Sequence, residues 1–221
     1  MFNPEVLHYV PVILSGLTYT GLLTIGGVGI GFFLGLLLAF AEVYGPKPLS
    51  VLASSIGQII RGIPLIALFF VIFFGLPEIG INLSPTMSAI LGLAIRSAAY
   101  QSQIFRSAIE SIGIGQWEAA LSIGMTRFQA FINVIAPQAI RIAIPSWGNE
   151  FTIVLKDTSI AYAIGVTEMF TQAIHVAQVT LDYFTTLAIV ALVYFVLTSC
   201  VSAVLNKLYT KHRIPGLGGG V

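Results

Sequence analysis

Arg96 is the residue whose chemistry stands out first. It lies in the middle of an apolar run, and Tyr100 follows it one helical turn later on the same face. A guanidinium there can hold a carboxylate in a bidentate fork. Glu150, Asp157 and Glu168 fall in or beside other apolar runs, and each can hold an ammonium group. Ionisable groups in such surroundings are costly, which makes function the default reading. Two readings stand for Arg96: it meets a bound solute, or it pairs with one of these acids and holds the fold together. Lys156 and Asp157 are adjacent and point in different directions on a helix, so they are not expected to pair with each other. His8, His175 and His212 are scattered, with no metal-ligand spacing and no Ser/His/Asp arrangement. His175 reads as a surface residue of an outer amphipathic stretch. No Gly-x-x-x-x-Gly-Lys-Ser/Thr loop is present to cradle a phosphate chain.

A second constellation is Gly115-Gln116-Trp117-Glu118-Ala119-Ala120, followed by Gly124, Arg127 and Pro137. Glu118, Ala119 and Ala120 begin a short helix, with the carboxylate at the positive end of its dipole. Gly124 ends or bends it, and Pro137 opens the next element. Small residues allow such a helix to dock closely into a partner's groove. Taken alone, it is an ordinary amphipathic connector.

The elements that carry these residues are apolar. Of 221 residues, 57% are hydrophobic and 9% charged, against roughly 25% charged in a soluble domain. Too few polar groups exist to cover a soluble surface, whereas lipid removes that requirement. A net charge of +1 implies no nucleic-acid field. About 20 apolar residues cross a bilayer, and five such segments are predicted: about 11–42, 49–76 (interrupted by Arg61), 85–105, 137–165 and 183–206. Residues 106–136 read as a long loop with one short amphipathic helix. Residues 1–10 form an external N-terminus and 211–221 a flexible tail. Met1 to Val10 carries Glu5 and no Lys or Arg, so the first apolar segment is read as retained, not as a cleaved signal.

Lys47, Arg106, Arg127, Lys207, Lys211 and Arg213 fall on one side of this arrangement and Lys156 on the other. The bias predicts an external N-terminus and a cytoplasmic C-terminus, with residues 106–136 inside. Gly27, Gly31 and Gly35 form overlapping small-xxx-small pairs, suited to internal packing or to a subunit interface. Cys200 reads as a small hydrophobe.

The loop resembles the coupling loop of ABC importer permeases. It has Glu118-Ala119-Ala120, a glycine four residues later and a proline thirteen beyond that. Val134-Ile135-Ala136-Pro137 stands where Ile-x-Leu-Pro is usual. Gly16-Leu17-Thr18-Tyr19-Thr20, Arg61-Gly62-Ile63-Pro64-Leu65 and Phe73-Phe74-Gly75-Leu76-Pro77 resemble segments of the polar amino-acid permeases, with Ile63 replacing Thr. So do Ala99-Tyr100, Phe105-Arg106, Pro137-Gln138-Ala139, Asn149-Glu150 and Leu155-Lys156-Asp157-Thr158-Ser159, with Gln103 where Glu is common. The likeness runs in order along nearly the whole chain.

That resemblance implies an all-α membrane protein of the prokaryotic cytoplasmic membrane, with a coupling helix between the third and fourth spans. It implies a second permease subunit, identical or related, two cytoplasmic ATP-binding subunits that carry ATP and magnesium, and an external substrate-binding protein. This chain would hold no cofactor. Glu118, Ala119, Ala120 and Gly124 would couple ATP hydrolysis to transport. Arg127 would pair with acidic groups of the partner or simply favour the inner leaflet. Arg96, Tyr100, Glu150, Asp157, Thr158 and Glu168 become candidates for the path of an amino acid. A fixed charge at Arg96 favours an acidic or neutral polar one, unless Asp157 or Glu150 neutralises it. A secondary transporter or ion channel is the alternative, and it would need no coupling loop.

Overall fold

The computed structural model describes residues 4–212, all of whose regular elements are helical. The chain enters through a 3-10 turn, Pro4–Tyr9, and helix α1, Val10–Ser15. It runs on through Gly16 into α2, Leu17–Tyr44. Together these make one apolar run of 41 residues, Pro4–Tyr44. The expected external N-terminus of ten residues is therefore helical from Pro4.

Helices α3, Lys47–Gly62, and α4, Leu65–Phe70, follow, the latter running on through Val71–Gly75 to Ile79. The segment expected as one span over 49–76 is bent by 102° between Gly62 and Leu65. Pro64 is the cause: the residue before a proline is pushed out of the helical region, and Ile63 sits at φ −88°, ψ 126°. Helix α5, Pro85–Glu110, is capped by Ser84, whose Oγ accepts the Met87 N–H at 3.3 Å.

Residues 106–136 form no long loop. Helix α5 continues to Glu110. Helices α6, Ile114–Ser122, and α7, Arg127–Ala130, then lead through a π-turn, Phe131–Ile135, into α8, Ala136–Asp157. The fourth expected span is thus shorter than 137–165, and Thr158–Ile164 is a 3-10 turn. Helix α9, Met169–Thr180, carries His175 exposed on its surface. Helix α10, Tyr183–His212, closes the fold. Residues 213–221, most of the expected tail, lie outside the described residues.

Pro4–Tyr44 and Tyr183–Thr210 are long and apolar enough to cross a membrane, and the bent α3–α4 pair passes the same test as a third. Helices α5 and α8 have 26 and 22 residues. At about 1.5 Å per residue both exceed the ~30 Å of hydrocarbon, and charges interrupt their apolar character.

The heart of the bundle is α2 against α5. Gly27, Gly31 and Gly35 are buried there, and a Cβ on Gly35 would stand 2.8 Å from the Ala98 carbonyl oxygen and 2.9 Å from Gln101 Cβ. Their place is internal packing, where small residues let backbones meet. Helix α8 lies on α5, and α10 packs on α8 and α9. The outer face of α10, with Phe184 and Phe195, is covered by little of the chain itself.

Candidate functional site

Close packing of α2, α5 and α8 leaves their polar side chains only one another as partners. Arg96 of α5 reaches α8. Its Nη1 stands 3.1 Å from Asp157 Oδ2 and 3.7 Å from Glu150 Oε1. Neither contact is aligned as a hydrogen bond, and that nitrogen, though buried, has no hydrogen-bond partner among the described residues. The attraction is therefore electrostatic. The guanidinium also lies 4.6 Å from the centre of the Tyr100 ring, a cation–π contact. Both acids carry compensating charge to Arg96, so it is not an isolated positive group.

From Glu150, 3% exposed, a chain of hydrogen bonds runs inward. Ser97 Oγ donates to Glu150 Oε1 at 3.0 Å, Gln101 Nε2 to Ser97 Oγ at 3.0 Å and to the Val28 carbonyl at 3.1 Å, and Trp147 Nε1 to Gln101 Oε1 at 2.8 Å. Ser97, Gln101 and Trp147 escape a reading of charges alone. Their signal is spacing: Ser97 and Gln101 follow Arg96 on adjoining faces of one helix. Hydrogen bonds thus join Glu150, Ser97, Gln101 and Trp147, and the buried Arg96 Nη1 is held at the end of the network by its two ion pairs. Arg96 and Asp157 keep partial exposure. The exposed groups of the network present one cation, Arg96, and one anion, Asp157.

Thr158 and Glu168 are placed otherwise. Thr158 is fully buried and its Oγ1 donates to the Leu155 carbonyl at 2.7 Å. Glu168 caps α9, accepting the Phe170 N–H at 2.8 Å, the Thr171 N–H at 2.6 Å, the Thr171 hydroxyl at 2.9 Å and the Tyr194 hydroxyl at 2.9 Å. These bonds occupy both of its oxygens, and no ion pair joins it to Arg96 among the described residues. A further cluster, unforeseen from the sequence, joins α2 to α5: Arg106 Nη1 stands 3.1 Å from Glu42 Oε2, Arg106 Nε 2.9 Å from Glu110 Oε1, and Gln103 Nε2 donates to Glu42 at 3.1 Å. Arg61 Nη1 donates to the Ala99 carbonyl at 2.8 Å, fastening α3 beside its bend.

The second site is the surface built by α6 and α7. Gly124 has φ +85°, and α6 ends in a Schellman motif in which Gly124 N–H donates to Leu121 O and Met125 N–H to Ala120 O. The positive φ requires glycine here; no neighbour crowds its missing Cβ. Thr126 and Gln129 then form a reciprocal capping box that starts α7. Ala120 is buried, while Glu118, Ala119, Gly124 and Arg127 are exposed. Between this unit and the end of α2 lies a groove of about 590 Å³ that Trp117, Glu118, Arg127, Phe128, Phe131 and Tyr44 help to line. Phe128 is 75% exposed and Ile114 74%. A water-facing unit would not leave such surface bare, so it suits docking.

Membrane-length helices around a buried ionic network, with an exposed helical unit feeding directly into one of them, define a membrane transport subunit. The chain belongs to the family described as binding-protein-dependent transport system inner membrane component, whose profile matches residues 31–213. It is 39% identical over 204 residues to the probable amino-acid permease protein YxeN of Bacillus subtilis (strain 168), covering 91% of each chain. It is 36% identical over 195 residues to the L-cystine transport system permease protein TcyB of the same organism, covering 88% of this chain and 83% of the relative. Among solved structures, a chain of an amino acid ABC transporter crystallised with histidines superposes with a TM-score of 0.88 at 38% identity, over 94% of this chain and 97% of the other. The MetNI methionine ABC transporter, at 20% identity and a TM-score of 0.73, shares the fold. The chain is accordingly an ABC transporter permease subunit and not itself an enzyme.

Proposed function

We propose that this chain is the permease subunit of an ATP-driven amino-acid importer. The observation that carries the reading is mechanical. From Arg127 to Asp157 the backbone is helical without a break, through α7, the π-turn and α8. A displacement of the α6–α7 unit would therefore reach Glu150 and Asp157, the partners of Arg96, along this helical run, which loses one interior hydrogen bond at Pro145. π-turns within helices often mark functional sites, and the one at Phe131–Ile135 sits where this run leaves the docking surface.

In this reading five spans cross the cytoplasmic membrane of a prokaryote: α1–α2, the bent α3–α4 pair, α5, α8 and α10. The N-terminus is outside and the α6–α7 unit inside. A second permease subunit, identical or related, completes the path. Two cytoplasmic ATP-binding subunits, which hold ATP and magnesium, dock one on each α6, and an external binding protein delivers cargo. The exposed Glu118 and Ala119 seat α6 in the partner's groove, Ala120 packs α6 onto this chain, and Gly124 allows the tight exit turn. Closure of the ATP-binding pair would shift a two-state bundle between outward and inward openings.

The amino-acid cargo is supported by the names of the relatives. Arg96, whose side chain keeps partial exposure, would take the carboxylate, Tyr100 would flank it, and Asp157, also partly exposed, would take the ammonium. Because both acids offset Arg96, the basis for preferring an acidic amino acid falls away and a neutral zwitterion suits the cluster best. Thr158 and Glu168 serve by holding α8, α9 and α10 together.

The test is Gly124→Leu in the assembled transporter. A leucine at φ +85° costs about 1–2 kcal/mol of backbone energy, enough to displace the turn without preventing membrane insertion. Transport by proteoliposomes is expected to fall while ATP hydrolysis continues. Transport at the native rate would refute the coupling role, and failure of the chain to co-purify with an ATP-binding subunit would refute the importer reading.

A further inference from the structure

Two acids face Arg96, and the fold holds them differently. Asp157 keeps a side chain 22% exposed and has no hydrogen-bond partner among the described residues. Glu150 is 4% exposed at its side chain and is also gripped by Ser97. The direction of that grip is unusual for this chain. Other buried hydroxyls of α5 and α8 donate to carbonyls of their own helix, Ser102 to Ala99 at 3.1 Å and Thr152 to Asn149 at 2.8 Å. That is the ordinary habit of serine and threonine inside a helix. Ser97 instead donates across, from α5 to α8.

Gln101 accounts for the departure. It follows Ser97 by one turn on the same face and is fully buried. Its Nε2 donates to Ser97 Oγ and to the Val28 carbonyl, and its Oε1 accepts the Trp147 indole N–H. An indole only donates and a carbonyl only accepts, so the amide cannot turn over without losing these bonds. Its N–H therefore stays on Ser97 Oγ, and the serine's own proton is left to face Glu150. The glycine stripe of α2 makes room for it. A Cβ on Gly31 would stand 3.1 Å from Gln101 Nε2, and one on Gly35 2.9 Å from Gln101 Cβ. Helices α2, α5 and α8 thus meet at one side-chain amide.

We propose that Arg96 has one fixed and one exchangeable counter-ion, and that Gln101 is the positioning residue that sets them apart. Glu150, held through Ser97, stays beside the guanidinium throughout. Asp157 leaves Arg96 when a zwitterion arrives. The incoming carboxylate takes its place on the guanidinium, and the incoming ammonium pairs with Asp157. One ion pair breaks, two form, and the three side chains carry the same net charge before and after. The inference rests on the amino-acid reading above and deepens it. It also gives two acids to one base a purpose: the fixed acid keeps a guanidinium inside the membrane neutralised while the other exchanges.

Reversible unfolding of the full-length chain in detergent tests the role of Gln101. Arg96→Met with Glu150→Gln measures one coupling, and Arg96→Met with Asp157→Asn the other. Each should be at least about fivefold in the unfolding equilibrium constant. In a Gln101→Met background the Arg96–Glu150 coupling should fall below about twofold, and the Arg96–Asp157 coupling should stay as it was. Two unchanged couplings, or an equal fall in both, would make Gln101 a packing residue and overturn its role. If Gln101→Met prevents folding, Trp147→Phe, which removes the donor to Gln101 Oε1, should give the same asymmetry with a smaller fall. The exchange is read with a mixture of the proteinogenic amino acids. It should raise the melting midpoint of the native chain and of Glu150→Gln, but not of Asp157→Asn. A rise kept by Asp157→Asn, or lost equally by Glu150→Gln, would overturn the exchange. No rise in the native chain would overturn it together with the amino-acid reading, and the couplings would then decide the part of Gln101 by themselves.

Discussion

Replacing Arg96 by Met removes the charge while keeping most of the side chain's length. At an effective dielectric of about 20, unit charges 3.1 Å and 3.7 Å apart attract by roughly 5 kcal/mol each. Desolvation offsets most of this in the native protein. The single substitution, however, leaves the buried Glu150 and the half-buried Asp157 without a counter-charge. Breaking a buried pair from one side costs about 3–5 kcal/mol, and that is the loss expected for Arg96→Met. Glu150→Gln should cost less, about 1–2 kcal/mol, because Arg96 keeps Asp157 and the amide oxygen still accepts from Ser97. Combining the two should recover part of the loss, giving a coupling of at least ~1 kcal/mol, since contacting residues do not add. Reversible unfolding of the detergent-solubilised chain measures all three variants. Additivity within about 0.5 kcal/mol, or an Arg96→Met variant as stable as the native chain, would show that these charges do not hold α5 to α8.

Other substitutions separate packing from function. Gly35→Val should lower the melting temperature, at a cost of about 1–3 kcal/mol for overpacking α2 against α5, whereas Gly29→Ala, with open space around it, should be neutral or stabilising in the same melts. Glu168→Ala strips α9 of its cap and leaves the Tyr194 hydroxyl without its acceptor. Stability should fall by roughly 2–4 kcal/mol, and the KM for transport in proteoliposomes should not change; a specific rise in KM would return Glu168 to the substrate path. Asp182 accepts the Thr185 N–H at 3.0 Å at the start of α10. Hydrogen bonds from Thr185 hold its carboxyl below the ordinary carboxylate range. The sign follows: its stabilisation is complete above the unfolded value of about 3.9 and is lost as pH falls through the lowered native one. Protection of the Thr185 amide against hydrogen exchange, relative to its intrinsic rate, should therefore fall as pH drops below about 4, and an Asp182→Ala variant should lack that step.

The membrane character of the chain was legible in its composition, because nothing but lipid can be the solvent for 57% hydrophobic and 9% charged residues. Local signals were equally plain. Glu118-Ala119-Ala120 marks a short helix, Gly124 its end, and Pro137 the opening of the next element. Spacing also put Gly27, Gly31 and Gly35 on one face. Each is set by backbone sterics within a few residues, so sequence carries it. The extent of the helices was harder to read. Residues 106–136 look too polar to cross a bilayer and read as a loop with one short helix, yet they are helical over most of their length, with a capping box at Thr126 and with Ala120 and Ala130 buried.

What tertiary structure alone decided is which groups meet. Arg96 and Asp157 are sixty-one residues apart, and their attraction is short-ranged, so only the packing of α5 on α8 could join them, or bring Gln101 to Trp147. The same packing gathered four hydrogen bonds on Glu168 around the start of α9. It sent the glycine stripe of α2 inward, to α5, where the sequence had allowed a subunit interface. The sequence by itself determined which charges must be neutralised inside an apolar protein, since the cost of burying them is a property of each residue. The choice of partner is a property of distance, and distance belongs to the fold.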